Sequence, residues 1–473
     1  METIRLAPRL HVPRVLMGLW QVADAERSGN PLDPEAAADS LEPLVEAGFT
    51  AFDVADHYGS AEIIAGVLRR RHPEVRVLTK WVAPPGVSAR ASVREAVERS
   101  LNRIGADRLD LLQFHAWRYS DPAWLDCMEH LAELQQEGLI LALGVTNFDA
   151  AHLDLARANG YPIATNQVCC SLVDRRPAGP MREVAARRGV RLLAYGSLAG
   201  GLLSDRWLGA PAPPITEALT WSQMKYRRFI RAAGGWDRFQ QLLRAARRVA
   251  EREGVPLAAA AARFVLDQAE TFAVIVGVRP GGRLYLEENR RLMDFALASE
   301  SRADLEAAAA KLEPIPGDCG DEYRRPPFLT AAGNLDHHVS AMPDPYPVRR
   351  VGAWAREVRL GDDAGGMRAI RSGGRIGITN ATAIRRGRPM APDGAAAQTH
   401  AILDRIEGAL ESLGADVEKL VEVRIAVRES SDARVVATAA VARHAASFVF
   451  VPEIWEDGAC RVRIDAEART GPS

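Results

Sequence analysis

A (β/α)8 barrel followed by a smaller α+β domain is the fold class this chain predicts, and three observations predict it. Between residue 14 and about 310, eight short apolar runs alternate with amphipathic helical segments. Those runs are nearly all apolar instead of alternating with polar residues, which suits a parallel sheet covered by helices. Near residue 313 the pattern stops, and a unit with a different order of strands and helices follows it. A doubly wound sheet is the competing arrangement, but no GxGxxG follows an early strand.

The eight strand candidates are VLMGLW, FTAFDVA, VRVLTKW, RLDLLQFH, LILALGVTNF, PIATNQVC, VRLLAYGSL and FAVIVGVR, in that order. Between them PEAAADSLEPLVEAG, SVREAVERSLNRIG and DPAWLDCMEHLAELQQEG carry helical periodicity and close on a glycine, as helix C-termini often do. Residues 1–315 are expected to form the barrel unit. Residues 316–348, rich in Pro, Gly and Asp, read as a linker or an ordered connecting arm. Residues 349–473 give β-like GMRAIRSG and RIGITNATA, then the long helix GAAAQTHAILDRIEGALESLG. The strand LVEVRIAVR, the helix SDARVVATAAVARHA and the strands SFVFVPEIW and CRVRIDAEA complete an α+β sandwich.

At 473 residues the chain needs at least two domains, and 60 basic residues against 61 acidic ones leave it nearly neutral. No basic stripe suggests nucleic acid, no apolar run reaches membrane-span length, and the N-terminus lacks a signal-peptide core. Five scattered cysteines form neither a disulfide framework nor a CxxC metal pattern, and no metal site is expected. Cys169 and Cys170 read as buried residues without a paired base, and the DHH of 336–338 lacks further spaced ligands. A soluble cytoplasmic protein is expected. Only four of the basic residues are lysines, Lys80, Lys225, Lys311 and Lys419, so a lysine is a marked choice here. Lys225 reads as part of a surface helix.

Barrel enzymes gather reactive groups at the C-terminal ends of their strands. Asp53 ends the second strand, Tyr58 sits in the turn after it, Lys80 closes the third and His115 the fourth. Together they fit a proton-delivery device. A free phenol titrates near ~10, and a neighbouring ammonium is expected to lower that value. Asp53 can pair with Lys80, while a neutral His115 donates a hydrogen bond to a carbonyl oxygen. Donors so placed would meet negative charge growing on that oxygen during hydride attack. Trp20, Trp81 and Trp117 follow strands one, three and four. They read either as packing under the loops or as an aromatic wall for an apolar carbonyl compound.

FDVADHYGSAE, LTKW and LLQFH resemble the aldo-keto reductases. The resemblance continues through GVTNF, NQVCCSLVDRR, LLAYGSLAGGLL and AVIVGVR…LEEN, over about residues 10–300. It implies Asp53, Tyr58, Lys80 and His115 as the catalytic tetrad, with Tyr58 as general acid. It also implies an extended nicotinamide cofactor, NADP(H) or NAD(H), across the barrel mouth. Thr146, Asn147 and Gln167 fall where that family holds the carboxamide, and Tyr195 where a ring stacks on the nicotinamide. Gly18, Trp20, Asp53, Leu198 and Gly277 line the same cofactor path. Arg279 falls where the 2′-phosphate is bound and Glu288 and Asn289 where adenine is contacted. The longer spacing in GVRPGGRLYLEEN lets Arg283 share or replace the role of Arg279.

Residues 355–470 resemble the Rid family, whose members form trimers and whose active members hydrolyse enamines and imines. The resemblance implies a homotrimer through this domain. Ala446 stands where the active members carry a carboxylate-gripping Arg, Arg443 lies three residues too early, and Asp465 replaces a common Glu. Asn380 interrupts a usual Gly. The expected function is reduction of an aldehyde or ketone to its alcohol, or the reverse. A non-catalytic NADPH-binding sensor or scaffold, and a reductase coupled to a deaminase, are the alternatives.

Overall fold

The computed structural model describes residues 3–361, 366–443, 448–451 and 460–470. Two antiparallel strands, β1 (Thr3–Ala7) and β2 (Leu10–Pro13), precede a closed barrel of eight strands. The barrel strands are β3 (Val15–Gly18), β4 (Ala51–Asp53), β5 (Arg76–Val82), β6 (Leu109–His115), β7 (Ile140–Thr146), β8 (Ile163–Cys169), β9 (Arg191–Tyr195) and β10 (Thr271–Gly277). They are parallel throughout, and β10 closes on β3, so the doubly wound alternative is excluded.

Side-chain alternation along these strands sorts the barrel interior into layers. At the N-terminal end Leu16, Ala51, Leu78, Leu111, Ala142, Leu193 and Ala273 form one apolar cluster with Leu6, Leu10 and Val12 of the hairpin. The β1–β2 hairpin therefore stoppers the bottom, a role its short polar-flanked runs did not announce. Two residues further along the strands the interior turns polar, with Asp53, Lys80, Gln113 and Gln167 all buried. Parity also explains Trp81. Lys80 faces inward, so its neighbour faces the helices, where Trp81 packs buried against Phe114 at 5.6 Å between ring centres.

After the helix Ser299–Ala309 the chain runs with only one short helical turn, Asp321–Tyr323, until residue 349. A seven-stranded sheet follows. Its strands are β11 (Arg349–Val351), β12 (Ala355–Leu360), β13 (Met367–Ser372), β14 (Arg375–Thr382), β17 (Leu420–Val427), β18 (Phe448–Val451) and β19 (Val462–Arg469). Their spatial order is β11-β12-β13-β14-β19-β17-β18, and β15 (Ile384–Arg385) and β16 (Arg388–Pro389) make a small separate hairpin. The helices Ala395–Ser412 and Ala433–Arg443 pack together, and the first also lies against barrel helix Ala150–Ala158. The strands β11 and β12 were not anticipated from the sequence. Ala446 lies outside the described residues, as does the Arg443 side chain. Asp465 Oδ1 accepts a 2.6 Å bond from the backbone N of Asn380, whose φ of 56° lies in the left-handed region.

Polar contacts join the two units. The imidazole of His152 is stacked on Tyr119 at 3.4 Å and sits between Asp149 at 2.6 Å and Asp404 of the second unit at 3.1 Å. Burial opposes the imidazolium, yet Asp149 and Asp404 outweigh it and raise its pKa. Arg385 and Arg386 bridge to Asp126 and Glu129, and Glu411 accepts from Ser120 Oγ at 2.9 Å. No helix among the described residues is long and apolar enough to cross a membrane.

Candidate active site

Pairing between strands fixes which residues share the inner face at the C-terminal end. Gly18 is level with Asp53, Lys80 with Gln113, and Thr146 with Gln167. Lys80 Nζ lies 2.6 Å from Asp53 Oδ2 and donates to the Val54 carbonyl at 2.9 Å. Asp53 Oδ1 accepts from Gln167 Nε2 at 2.7 Å, and Gln167 also bonds Gln113 at 3.0 Å. Burial lowers the pKa of Lys80, with Asp53 working against the loss.

Tyr58 hangs over this pair from the loop between β4 and helix Ala61–Arg71, with Lys80 Nζ 4.9 Å from its ring centre. Glu26 pins the loop by accepting from the backbone N of Ser60 at 3.0 Å and from its hydroxyl at 2.5 Å. Trp20 meets the phenol edge-on at 4.8 Å. The phenol is pushed well above its ordinary pKa, first by burial and then by the Asp53 charge. This corrects the expectation of an ammonium-lowered phenol. Lys80 is already paired with Asp53 at 2.6 Å, so burial and the Asp53 carboxylate prevail and the hydroxyl keeps its proton at rest.

His115 Nδ1 lies 3.3 Å from the Thr146 carbonyl, and Nε2 is buried without a hydrogen-bond partner among the described residues. Burial, then the charge of Arg324, holds the imidazole well below its ordinary pKa, so it is neutral near pH 7. A neutral ring has one N–H. With the proton on Nε2 the ring donates into the cavity, and with it on Nδ1 the ring bonds Thr146 instead.

One cavity of about 920 Å³ connects these groups. Its lining includes Asp53, Tyr58, Lys80, His115, Gly18, Trp20, Trp117, Thr146, Asn147, Gln167, Tyr195, Leu198, Gly277, Arg279, Arg283, Glu288 and Asn289. Of the anticipated residues only Trp81 is left out, for the reason of strand parity given above. At the outer end Arg279 reaches Asp24 at 3.4 Å, while Arg283 pairs with Glu288. Asn289 is buried and donates to the Leu284 carbonyl at 3.2 Å.

The connecting arm supplies what the sequence did not. Arg324 donates to the carbonyls of Ala116 and Asn147, both at 2.7 Å, and Gly320 passes so close to Asn147 that a Cβ would overlap its carbonyl oxygen. Tyr323, His337 and His338 line the cavity, with His338 at 5.5 Å from Trp117 and His337 at 6.3 Å from Trp221. Lys225 is a second correction, because it is buried in the cavity wall and not on a surface helix. Its Nζ donates to Tyr323 Oη at 2.8 Å and lies 3.5 Å from Glu322. Glu322 in turn meets Arg176 at 2.9 Å, and its carboxyl is held down at about 2 because Arg176 and Lys225 outweigh the burial. The lysine scarcity was the one available signal for Lys225. Nothing local marked Glu322 or Tyr323.

The profile of the aldo/keto reductase family matches residues 14–310. An aldo-keto reductase of Bacillus subtilis, YhdN, is 27% identical over 345 residues, which is 67% of this chain and 96% of that protein. The protein Tas of Escherichia coli is 30% identical over 249 residues, 48% of this chain and 69% of its own. Among solved structures, a glycerol dehydrogenase from Gluconobacter oxydans superposes with a TM-score of 0.52 at 24% identity, over 67% of this chain and 97% of that one. With more than half its length matched, the chain belongs to the aldo/keto reductase family of oxidoreductases.

Proposed function

We propose that the chain is an NADP(H)-dependent reductase that interconverts an apolar or aromatic aldehyde or ketone and its alcohol. The observation that carries this reading is the convergence of Asp53, Tyr58, Lys80 and His115 on one cavity, with Lys80 and Asp53 paired at 2.6 Å. The cavity fits a dinucleotide. Its inner end holds the amide groups of Asn147 and Gln167 beside the Tyr195 ring, and its outer end holds the guanidinium groups of Arg279 and Arg283. NADPH, when bound, supplies a hydride. Asn147 and Gln167 would hold its carboxamide, and Arg279 with Arg283 its 2′-phosphate.

The chain's own residues handle the proton. Tyr58 remains a protonated phenol at neutral pH, a weak acid, yet the alkoxide left by hydride addition is a far stronger base than a phenolate. The proton therefore moves from Tyr58 Oη to that oxygen, and the phenolate left behind is met by the Lys80 ammonium. His115, with its proton on Nε2, orients the carbonyl toward Tyr58. Trp20, Trp117 and Trp221 with the arm residues exclude water and favour a flat apolar substrate.

The test is Tyr58→Phe with a panel of aromatic aldehydes and NADPH. Turnover is expected to fall by roughly 10²–10⁴-fold while NADPH affinity by fluorescence titration stays nearly the same. Undiminished turnover would remove Tyr58 as the acid. For residues 349–473 we propose a Rid-like domain that assembles the chain as a trimer without deaminase activity. Light scattering of the full chain tests the trimer, and hydrolysis of a 2-aminoacrylate-type imine tests the deaminase.

A further inference from the structure

Two of the chain's four lysines line this one cavity, and each stands beside a tyrosine: Lys80 beneath Tyr58, and Lys225 against Tyr323. The proton relay proposed above uses only the first pair. Tyr323 belongs to the connecting arm, and its ring lies 5.5 Å from His115, 6.4 Å from Trp117 and 6.1 Å from His338. It therefore borders the place where a carbonyl oriented by His115 would sit.

The surroundings of Tyr323 lock it there. On one side Glu322 is anchored by Arg176 at 2.9 Å, and on the other Arg324 is bonded to the carbonyls of Ala116 and Asn147. Lys225 Nζ points its protons at Tyr323 Oη (2.8 Å), Tyr195 Oη (3.3 Å) and Glu322 Oε1 (3.5 Å). Tyr323 thus accepts from an ammonium, while its own hydroxyl hydrogen has no acceptor among the described residues. A hydroxyl that accepts from a cation is a stronger donor through its own hydrogen. Holding such a donor in a rigid wall lowers the ordering cost of binding its acceptor.

We propose that the Tyr323 hydroxyl, polarised by Lys225, donates to a second oxygen on the carbonyl substrate, and that preferred substrates carry a neutral acceptor oxygen besides the reacting carbonyl. The proposal rests on the reductase reading and narrows its substrate class. A neutral acceptor is favoured over a carboxylate because Lys225 is balanced by Glu322, and Arg176 by Asp174 at 2.6 Å. An extra anion would lose its hydration there. Arg324, the neighbouring cation without an ion pair among the described residues, spends its donors on the Ala116 and Asn147 carbonyls and does not line the cavity.

The experiment compares the three positional isomers of methyl formylbenzoate with the three ethylbenzaldehydes, in the wild-type chain and in Tyr323→Phe. For at least one position, the ester-over-ethyl ratio of kcat/KM is expected to fall about 5- to 20-fold in the variant, the worth of one hydrogen bond to a polarised donor. Formylbenzoate at that position should be a poorer substrate than its methyl ester. Ratios that stay the same in Tyr323→Phe, or a carboxylate that outperforms its ester, would overturn the proposal. Should the wild-type chain reduce none of the six, the reductase reading fails by itself, and the same compounds are scored by quenching of tryptophan fluorescence. An ester preference in binding that Tyr323→Phe removes would still uphold the donor, and equal binding of esters and hydrocarbons would overturn it.

Discussion

Removing the Lys80 ammonium while keeping its stem, as in Lys80→Met, isolates the ion pair at the base of the site. Two opposite charges 2.6 Å apart attract by roughly 6 kcal/mol at an effective dielectric of about 20. Much of that is offset by the cost of burying both groups. Deleting one partner still leaves the other charge stranded, and buried pairs so broken lose about 3–5 kcal/mol. In Lys80→Met the Asp53 carboxylate retains, among the described residues, only Gln167 at 2.7 Å and Gln113 at 3.4 Å. A loss of about 3 kcal/mol is therefore expected, at the lower end of that range. Adding Asp53→Asn removes the stranded charge and should restore at least about 2 kcal/mol of it. Urea titrations followed by circular dichroism, on both single variants and the double variant, give the coupling. A double variant no more stable than Lys80→Met would show that the pair is not buried as described.

Arg279→Ala is expected to weaken NADPH by about tenfold or more while changing NADH little, one charge-assisted bond being lost; equal losses for both dinucleotides would move the role to Arg283. His338 is held at about 4, below its unfolded value, chiefly by burial. The unfolded chain therefore takes up this proton first, and stability drains away as pH falls from about 6.5 toward 4, by at most on the order of 3 kcal/mol. His338→Asn should flatten that part of the pH–stability curve, and an unchanged slope would contradict the burial. His152 has the opposite sign, because its pKa is raised in the folded state. Its contribution is complete below about 6.5 and lost as pH rises through the folded value. Asp404→Asn should accordingly destabilise the chain more at pH 6 than at pH 9, and a loss independent of pH would exclude the charged imidazole.

The barrel was legible because its eight strands are continuous apolar runs, and because Asp53 and His115 each end one of them while Lys80 lies two residues before the end of a third. A rim position follows directly from where a strand stops. The rest depended on information that is not local. Trp81 shows the cost of ignoring parity, since an inward Lys80 already sends its neighbour to the helix side. Lys225 sits in a helix whose polar sequence reads as solvated, and it is interior because Tyr195 of the barrel and Tyr323 of the arm both close over it. Glu322 and Tyr323 come more than a hundred residues after the last tetrad member, in a segment without periodicity. Their positions are fixed by contacts to Arg176, Ala116 and Asn147 that no spacing rule encodes.

The family match ends at residue 310, but the electrostatics of the barrel do not. Lys225 relies on a carboxylate contributed twelve positions past that limit, and Arg176 shares it. A fragment cut to family length would carry a buried ammonium facing an open gap, with the Asn147 carbonyl stripped of its arginine. Whoever trims this protein to a minimal catalyst should place the scissors beyond the arm, since the tether also serves as the barrel's counter-ion.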